Sequence, residues 1–127
     1  MEHKVFLDAN ILIEVILGRD KQAVARNLLE KYKESLNISA LTAHLVIHFG
    51  MKKVSLLIIK EFLDDYQVLD LGYSDFIWAF NNIVDNDFED ALQISVAIRN
   101  GCTHFITFDQ NLVKKYSSLK NISIVLA

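Results

Sequence analysis

The 127-residue sequence predicts an α/β domain of three layers, α/β/α, with a central parallel sheet, spanning residues 1–127 as one unit. Three observations predict it. Short apolar runs rich in β-branched and aromatic residues recur along the chain, as in Val5-Phe6-Leu7 and Phe105-Ile106-Thr107. Longer segments with apolar residues at helical spacing separate them. The hydrophobic content of 52% is ample for one core, whereas two cores in this length would each be undersized.

Lys4 to Leu7 reads as the first strand, ending at Asp8, and Asn10 to Leu17 as a short helix. Ala23, Leu28, Leu29 and Tyr32, with Val24 and Ala25, share a face and predict an amphipathic helix over Lys21 to Glu34. Leu36 to Ser39 is a second strand, followed by helices over Thr42 to Phe49 and Val54 to Asp64. Tyr66 to Leu71 is a third strand. Ile77, Phe80, Ile83 and Val84 predict a helix over Ser74 to Val84, with Ser74 as its N-cap. Asp87 to Arg99 is a further helix, and Gly101 has the position of its C-terminal cap. His104 to Thr107, Asn111 to Tyr116 and Ile122 to Leu126 complete the series as strand, helix and strand. Strands that alternate with helices imply right-handed crossovers and a sheet covered on both faces. Trp78 and Phe80 are expected in the core.

Composition narrows the function. The lone Cys102 excludes an internal disulfide and a multi-cysteine zinc cage, and fits a reducing cytoplasm. The start Met1-Glu2-His3-Lys4 lacks the long apolar core of a secretory signal, and charges at Glu14 and Lys60 interrupt the apolar stretches, so no membrane partner is expected. A net charge of −3 argues against a protein that coats DNA, though not against a nuclease whose carboxylates bind metal.

In open α/β sheets, ligands bind beyond the carboxyl ends of the strands. Asp8 directly follows the first strand and Asp109 lies two residues beyond Thr107; Asp90 sits in the first turn of the helix before that strand. Each alone is explicable as a helix cap or as an acid favoured by the helix dipole. Together with Asp85, Asp87 and Glu89, which with Asp90 place four acids in six residues, they exceed what capping requires. Repulsion among close carboxylates is relieved by a cation, and an all-oxygen donor set favours Mg²⁺ or Mn²⁺.

Three stretches resemble a known family. Val5-Phe6-Leu7-Asp8-Ala9-Asn10-Ile11-Leu12 is similar to the opening of a PIN domain, where an apolar strand ends in Asp followed by a small residue and Asn or Thr. Asp87-Phe88-Glu89-Asp90-Ala91-Leu92-Gln93 resembles the family's third acidic motif. His104-Phe105-Ile106-Thr107-Phe108-Asp109 resembles its last. The resemblance implies a metal-dependent ribonuclease acting on single-stranded RNA, of the kind often paired as a toxin with a protein antitoxin. It implies Asp8, Asp90 and Asp109 as catalytic, metal-coordinating residues, with Asn10 and Thr107 in support.

The chain departs from that pattern at the second acid, expected on the helix after the second strand at or beside Leu45; no carboxylate occurs between Ser39 and Lys60. His44 and His48, four apart on one helical face, and Glu14 and Asp87 are the candidates to compensate. The alternative is a domain that has lost catalysis and binds RNA or protein, as a homodimer or with a partner. Phosphoryl-transfer readings fit less well. Asn10 stands where a haloacid-dehalogenase-type phosphatase needs a second Asp, and no Lys stands just after Ile106 as a response-regulator receiver requires.

Overall fold

The computed structural model describes residues 3–127, and the expected start at Met1-Glu2 lies outside the described residues. Five strands, β1 (Val5–Leu7), β2 (Leu36–Ser39), β3 (Gln67–Leu69), β4 (His104–Thr107) and β5 (Ser123–Leu126), form one sheet in the order β3-β2-β1-β4-β5. Every pairing is parallel, with Phe6 opposite Phe105 and Leu7 opposite Ile106 at the centre. The helices are α1 (Ala9–Ile16), α2 (Gln22–Lys31), α3 (Ala40–Gly50), α4 (Leu56–Leu63), α5 (Tyr73–Asn82), α6 (Phe88–Arg99) and α7 (Gln110–Lys115).

Side chains alternate across a strand, so each central strand feeds two cores. Val5, Leu7, Ile38 and Ile106 pack with Ile11, Leu12, Val46 and Ile59 on one face. Phe6 and Phe105, stacked with ring centroids 5.2 Å apart, pack with Ile94, Val96 and Leu112 on the other. The three-layer parallel architecture is therefore as the sequence predicts. β1 and β4 are buried on both faces, while the edge strands β3 and β5 leave Val68, Val125 and Leu126 exposed.

α6 is the most enclosed helix, with seven consecutive residues from Ala91 to Ala97 buried. A polar network fixes it to the neighbouring element: Ser39 Oγ donates to Gln93 Oε1 at 2.6 Å, and Gln93 Nε2 donates to Thr42 Oγ1 at 2.8 Å. Gly101, at φ +73, supplies the left-handed residue just past the helix, as expected. Among the described residues, no helix is long and apolar enough to cross a membrane.

The helix over residues 73–82 departs from expectation. Ser74 is not its N-cap: the Asp75 carboxylate accepts the Gly72 N–H at 2.9 Å, and the helix starts one residue earlier. Ile77, Phe80 and Ile83 point to solvent, with Phe80 69% exposed, so Phe80 is not core; Trp78 is half-buried. The reason is Asp75, which is fully buried and bonded to Arg99 of α6 through Nε at 3.0 Å and Nη2 at 2.8 Å. That ion pair turns the Asp75 and Ala79 face inward and the apolar stripe outward. α2 leaves Ala23 and Val24 exposed and turns Ala25, Leu28 and Leu29, with Tyr32 just past its end, onto the core.

Candidate metal centre

The sheet changes direction of winding between β1 and β4, because β2 and β3 extend from one side of β1 and β4 and β5 from the other. The carboxyl ends of strands separate there and leave a crevice. A cleft of about 400 Å³ opens at this point, lined by Asp8, Asn10, Glu14, Glu89, Asp90 and Asp109 on its acidic part. A larger hollow of about 1350 Å³ lies at the amino ends of β1–β3, lined by residues such as Lys4, Lys31, Asn37 and Gln67. Its larger volume does not outweigh its position at the wrong end of a parallel sheet.

Each acid holds its place by a local rule. Asp8 ends β1 with extended backbone and caps α1, Oδ1 accepting the Ala9 N–H at 2.8 Å. Its Oδ2 accepts the Thr107 hydroxyl at 2.7 Å. Asp109 caps α7, Oδ1 accepting the N–H groups of Asn111 at 2.9 Å and Leu112 at 3.3 Å. Asp87 caps α6 by accepting the Asp90 N–H at 3.2 Å. Capping thus fixes Asp8, Asp109 and Asp87, and the first two of these also line the cleft with Asp90.

Thr107, fully buried, is the hub between the strand ends. Besides its bond to Asp8, its Oγ1 accepts the Asn10 side-chain N–H at 3.3 Å and the Asp109 backbone N–H at 3.0 Å. Asn10 Oδ1 in turn accepts the Phe108 N–H at 3.4 Å.

The electrostatics record how closely the acids approach. Burial pushes the Asp8 carboxyl up to about 6; hydrogen bonds from Thr107 and Ala9 oppose the rise, and the charges of Glu89 and Asp109 add to it. Burial is also the chief cause that holds Asp90 well above the ordinary carboxylate range, followed by a hydrogen bond with Asp87 and the charges of Asp8, Asp87 and Asp109. Asp90 Oδ2 is buried without a hydrogen-bond partner. Glu89, raised by burial and by Asp87, stands beside it.

Among the described residues, no group of three His, Cys, Asp or Glu side chains is already drawn together to grip an ion. The donor set nevertheless fits a hard divalent cation, because it is all oxygen and includes the orphaned Asp90 Oδ2. Leu45 lines the cleft, so the position expected for the second acid does face the site and carries no donor. His44 and His48 are exposed and do not line the cleft; of the other two candidates, Glu14 lines it and Asp87 does not. Sequence reasoning passed over the apolar side of the cleft, formed by Ile13, Leu45, Phe49 and Phe108. Ile13, Leu45 and Phe49 belong to helix patterns that read as core, and Phe108 stands inside the last acidic motif without being one of its acids.

A doubly wound parallel sheet with carboxylates gathered at its switch point defines a class of α/β protein that binds its ligand at the strand ends. Within that class, the PIN domain family matches residues 5–117, and the chain belongs to that family. No match emerged among curated proteins. Among solved structures, the chain is similar to a toxin–antitoxin complex from Klebsiella pneumoniae, at a TM-score of 0.73 and 19% identity over 95% of each chain. It is similar to Mycobacterium tuberculosis VapC20, described as a sarcin-ricin loop cleaving toxin, at a TM-score of 0.70 and 12% identity over 93% of this chain and 98% of that one. DNA-bound VapBC from Salmonella typhimurium gives a TM-score of 0.69 and 20% identity over 98% of each chain. At these identities the likeness concerns the fold.

Proposed function

We propose that the protein is a divalent-metal-dependent endoribonuclease that hydrolyses phosphodiester bonds of single-stranded RNA as the toxin of a toxin–antitoxin pair. The observation that carries this reading is the convergence of Asp8, Asp90 and Asp109 on one cleft, with a buried Asp90 oxygen left without a partner. Two of these carboxyls resist ionisation on their own, which is the electrostatic signature of a site whose charge is completed by a cation.

Asp8, Asp90 and Asp109 would hold Mg²⁺ or Mn²⁺, which when bound supplies charge neutralisation at the phosphate and activation of water. Thr107 orients Asp8 and fixes the Asp109 backbone, Asn10 steadies Thr107, and Asp87 sets the first turn of α6 from which Asp90 projects. Membership of the PIN domain family and likeness to toxin folds support the assignment. Solved neighbours from Rickettsia felis and Salmonella typhimurium are VapBC complexes bound to DNA, which supports a protein antitoxin as partner. The exposed apolar side chains of Leu56, Leu57 and Ile58 on α4 and of Tyr73, Ile77 and Phe80 on α5 offer surface for an antitoxin or a second copy in a cytoplasmic homodimer.

The alternative, a domain that binds RNA or protein without cutting, is favoured by one observation: Leu45 faces the cleft in place of an acid. Purified protein with Mn²⁺ and unstructured RNA decides between them. Metal-dependent cleavage that disappears in Asp8→Asn establishes the nuclease. Mn²⁺ binding without cleavage establishes the non-catalytic domain, and cleavage that persists in Asp8→Asn rejects the site.

A further inference from the structure

The cleft has two unlike walls. Its floor is acidic, while Ile13, Leu45, Phe49 and Phe108 form an apolar side and Arg19 and Lys21 stand at its edge. Phe49 and Phe108 are half-buried, each packed on the core while still lining the cleft. Both rings are capped by an ammonium group: Lys21 Nζ lies 5.0 Å from the Phe108 centroid and Lys52 Nζ lies 5.4 Å from that of Phe49. Leu45 stands one helical turn before Phe49, so α3 presents both apolar side chains to the cleft.

A metal site alone has no use for such a wall, since hard cations take oxygen ligands and water. An unpaired nucleotide uses both sides. Its base has a π-face that stacks on an aromatic ring, and its phosphate takes the lysine or arginine displaced from that ring. A base within a duplex cannot enter, because its faces are already covered by neighbours.

We infer that Leu45, Phe49 and Phe108 form a slot for one unpaired nucleobase beside the acidic floor, with Lys21, Arg19 and Lys52 holding the flanking phosphates. The slot rests on the nuclease reading for its substrate class. It gives a use to the position where the acid is missing: leucine there extends an apolar wall that a carboxylate would interrupt. The slot selects single strands by stacking, so preference among bases follows stacking strength rather than hydrogen-bond readout.

The test measures binding in an Asp90→Asn background, which replaces one floor carboxyl by an amide and, under the nuclease reading, removes cleavage. Fluorescently labelled single-stranded oligouridine is the probe, with an RNA duplex of equal length and a series carrying one abasic nucleotide at successive positions as comparisons. Phe49→Leu and Phe108→Leu keep apolar bulk for the core and remove the ring face. Phe62→Leu, at a half-buried aromatic outside the cleft, is the control.

Each slot variant should lose affinity roughly five- to hundredfold, the scale of one lost stacking contact. One abasic position should cost the parent a similar factor and cost the slot variants nothing further. The duplex should bind far more weakly, and Phe62→Leu should bind as the parent does. Equal affinity of parent and slot variants at unchanged melting temperature overturns the slot. So does equal binding of duplex and single strand, or no binding of oligouridine by the parent. Should a slot variant fail to fold, the abasic series on the parent decides. Wild-type protein that shows the slot behaviour but never cleaves with Mn²⁺ loses the nuclease reading and keeps the slot. Cleavage without abasic sensitivity does the reverse.

Discussion

At Asp90, burial, the Asp87 side chain and the charges of Asp8 and Asp109 all favour the protonated carboxyl. For Asp8, burial and the charges of Glu89 and Asp109, against hydrogen bonds from Thr107 and Ala9, move the carboxyl from 3.8 to about 6. The folded protein therefore binds more protons than the unfolded chain across this window, and stability falls as pH rises through it. Metal-free protein should melt at a higher temperature near pH 5 than at neutral pH or above. Mn²⁺ should restore the loss at the higher pH, because it binds the ionised carboxylates that repel one another; differential scanning calorimetry with and without chelator reads both. Asp90→Asn should stabilise the metal-free protein at neutral pH by about 1–2 kcal/mol and weaken Mn²⁺ binding, trading function against stability. Leu45→Glu makes the opposite trade. It should raise Mn²⁺ affinity by roughly tenfold, the scale on which residues around a metal site act, and lower the melting temperature of the metal-free form. Calorimetric titration with Mn²⁺ and a thermal melt check the pair of effects.

Helices α5 and α6 are joined by a buried acid rather than by apolar contact alone. Burial pushes the Asp75 carboxyl up, but the hydrogen bonds from Arg99, the Gly72 N–H and Ser95, with the Arg99 charge, outweigh it and hold it below its ordinary value. Asp75→Ala should cost about 3 kcal/mol in urea unfolding, the lower part of the range for a broken buried pair because the Arg99 head is partly exposed. With its carboxyl lowered in the folded state, the contribution of Asp75 is present above the unfolded value of 3.8 and is lost as pH falls through the lower, folded one. The same pair explains what the sequence hides at this scale. Spacing of Ile77, Phe80 and Ile83 identifies a helix with an apolar stripe, but periodicity is silent on which stripe a neighbour covers, and here Asp75 decides. β2 and β4, bounded by polar residues and helix caps, are legible to the residue. The three acids are legible because strand ends and helix starts are, whereas the wall of Leu45, Phe49 and Phe108 is assembled from α3 and the end of β4 and has no local signature.

Across the whole molecule the net charge of −3 coexists with a cleft edge that carries Arg19 and Lys21. Affinity for nucleic acid should therefore rest on a few local contacts rather than on a broad field. With Lys21, Arg19 and Lys52 each neutralising one phosphate on a single strand, the logarithm of the binding constant should fall with the logarithm of salt at a slope of roughly −2.1. A much steeper slope, measured by titration at several KCl concentrations, would indicate a phosphate track extending well beyond the cleft.

The pairing of β1 with β4 also sets when the centre can exist. Phe6 and Phe105 are neighbours in the sheet although nearly the whole chain separates them. During synthesis, β1, β2 and β3 emerge first, and Asp8 then has neither its Thr107 partner nor the Asp109 charge. Contacts of such long sequence separation form late and slowly. Under the proposed function, a nascent chain interrupted before β4 carries Asp8 without the strand that completes the centre and should not cleave.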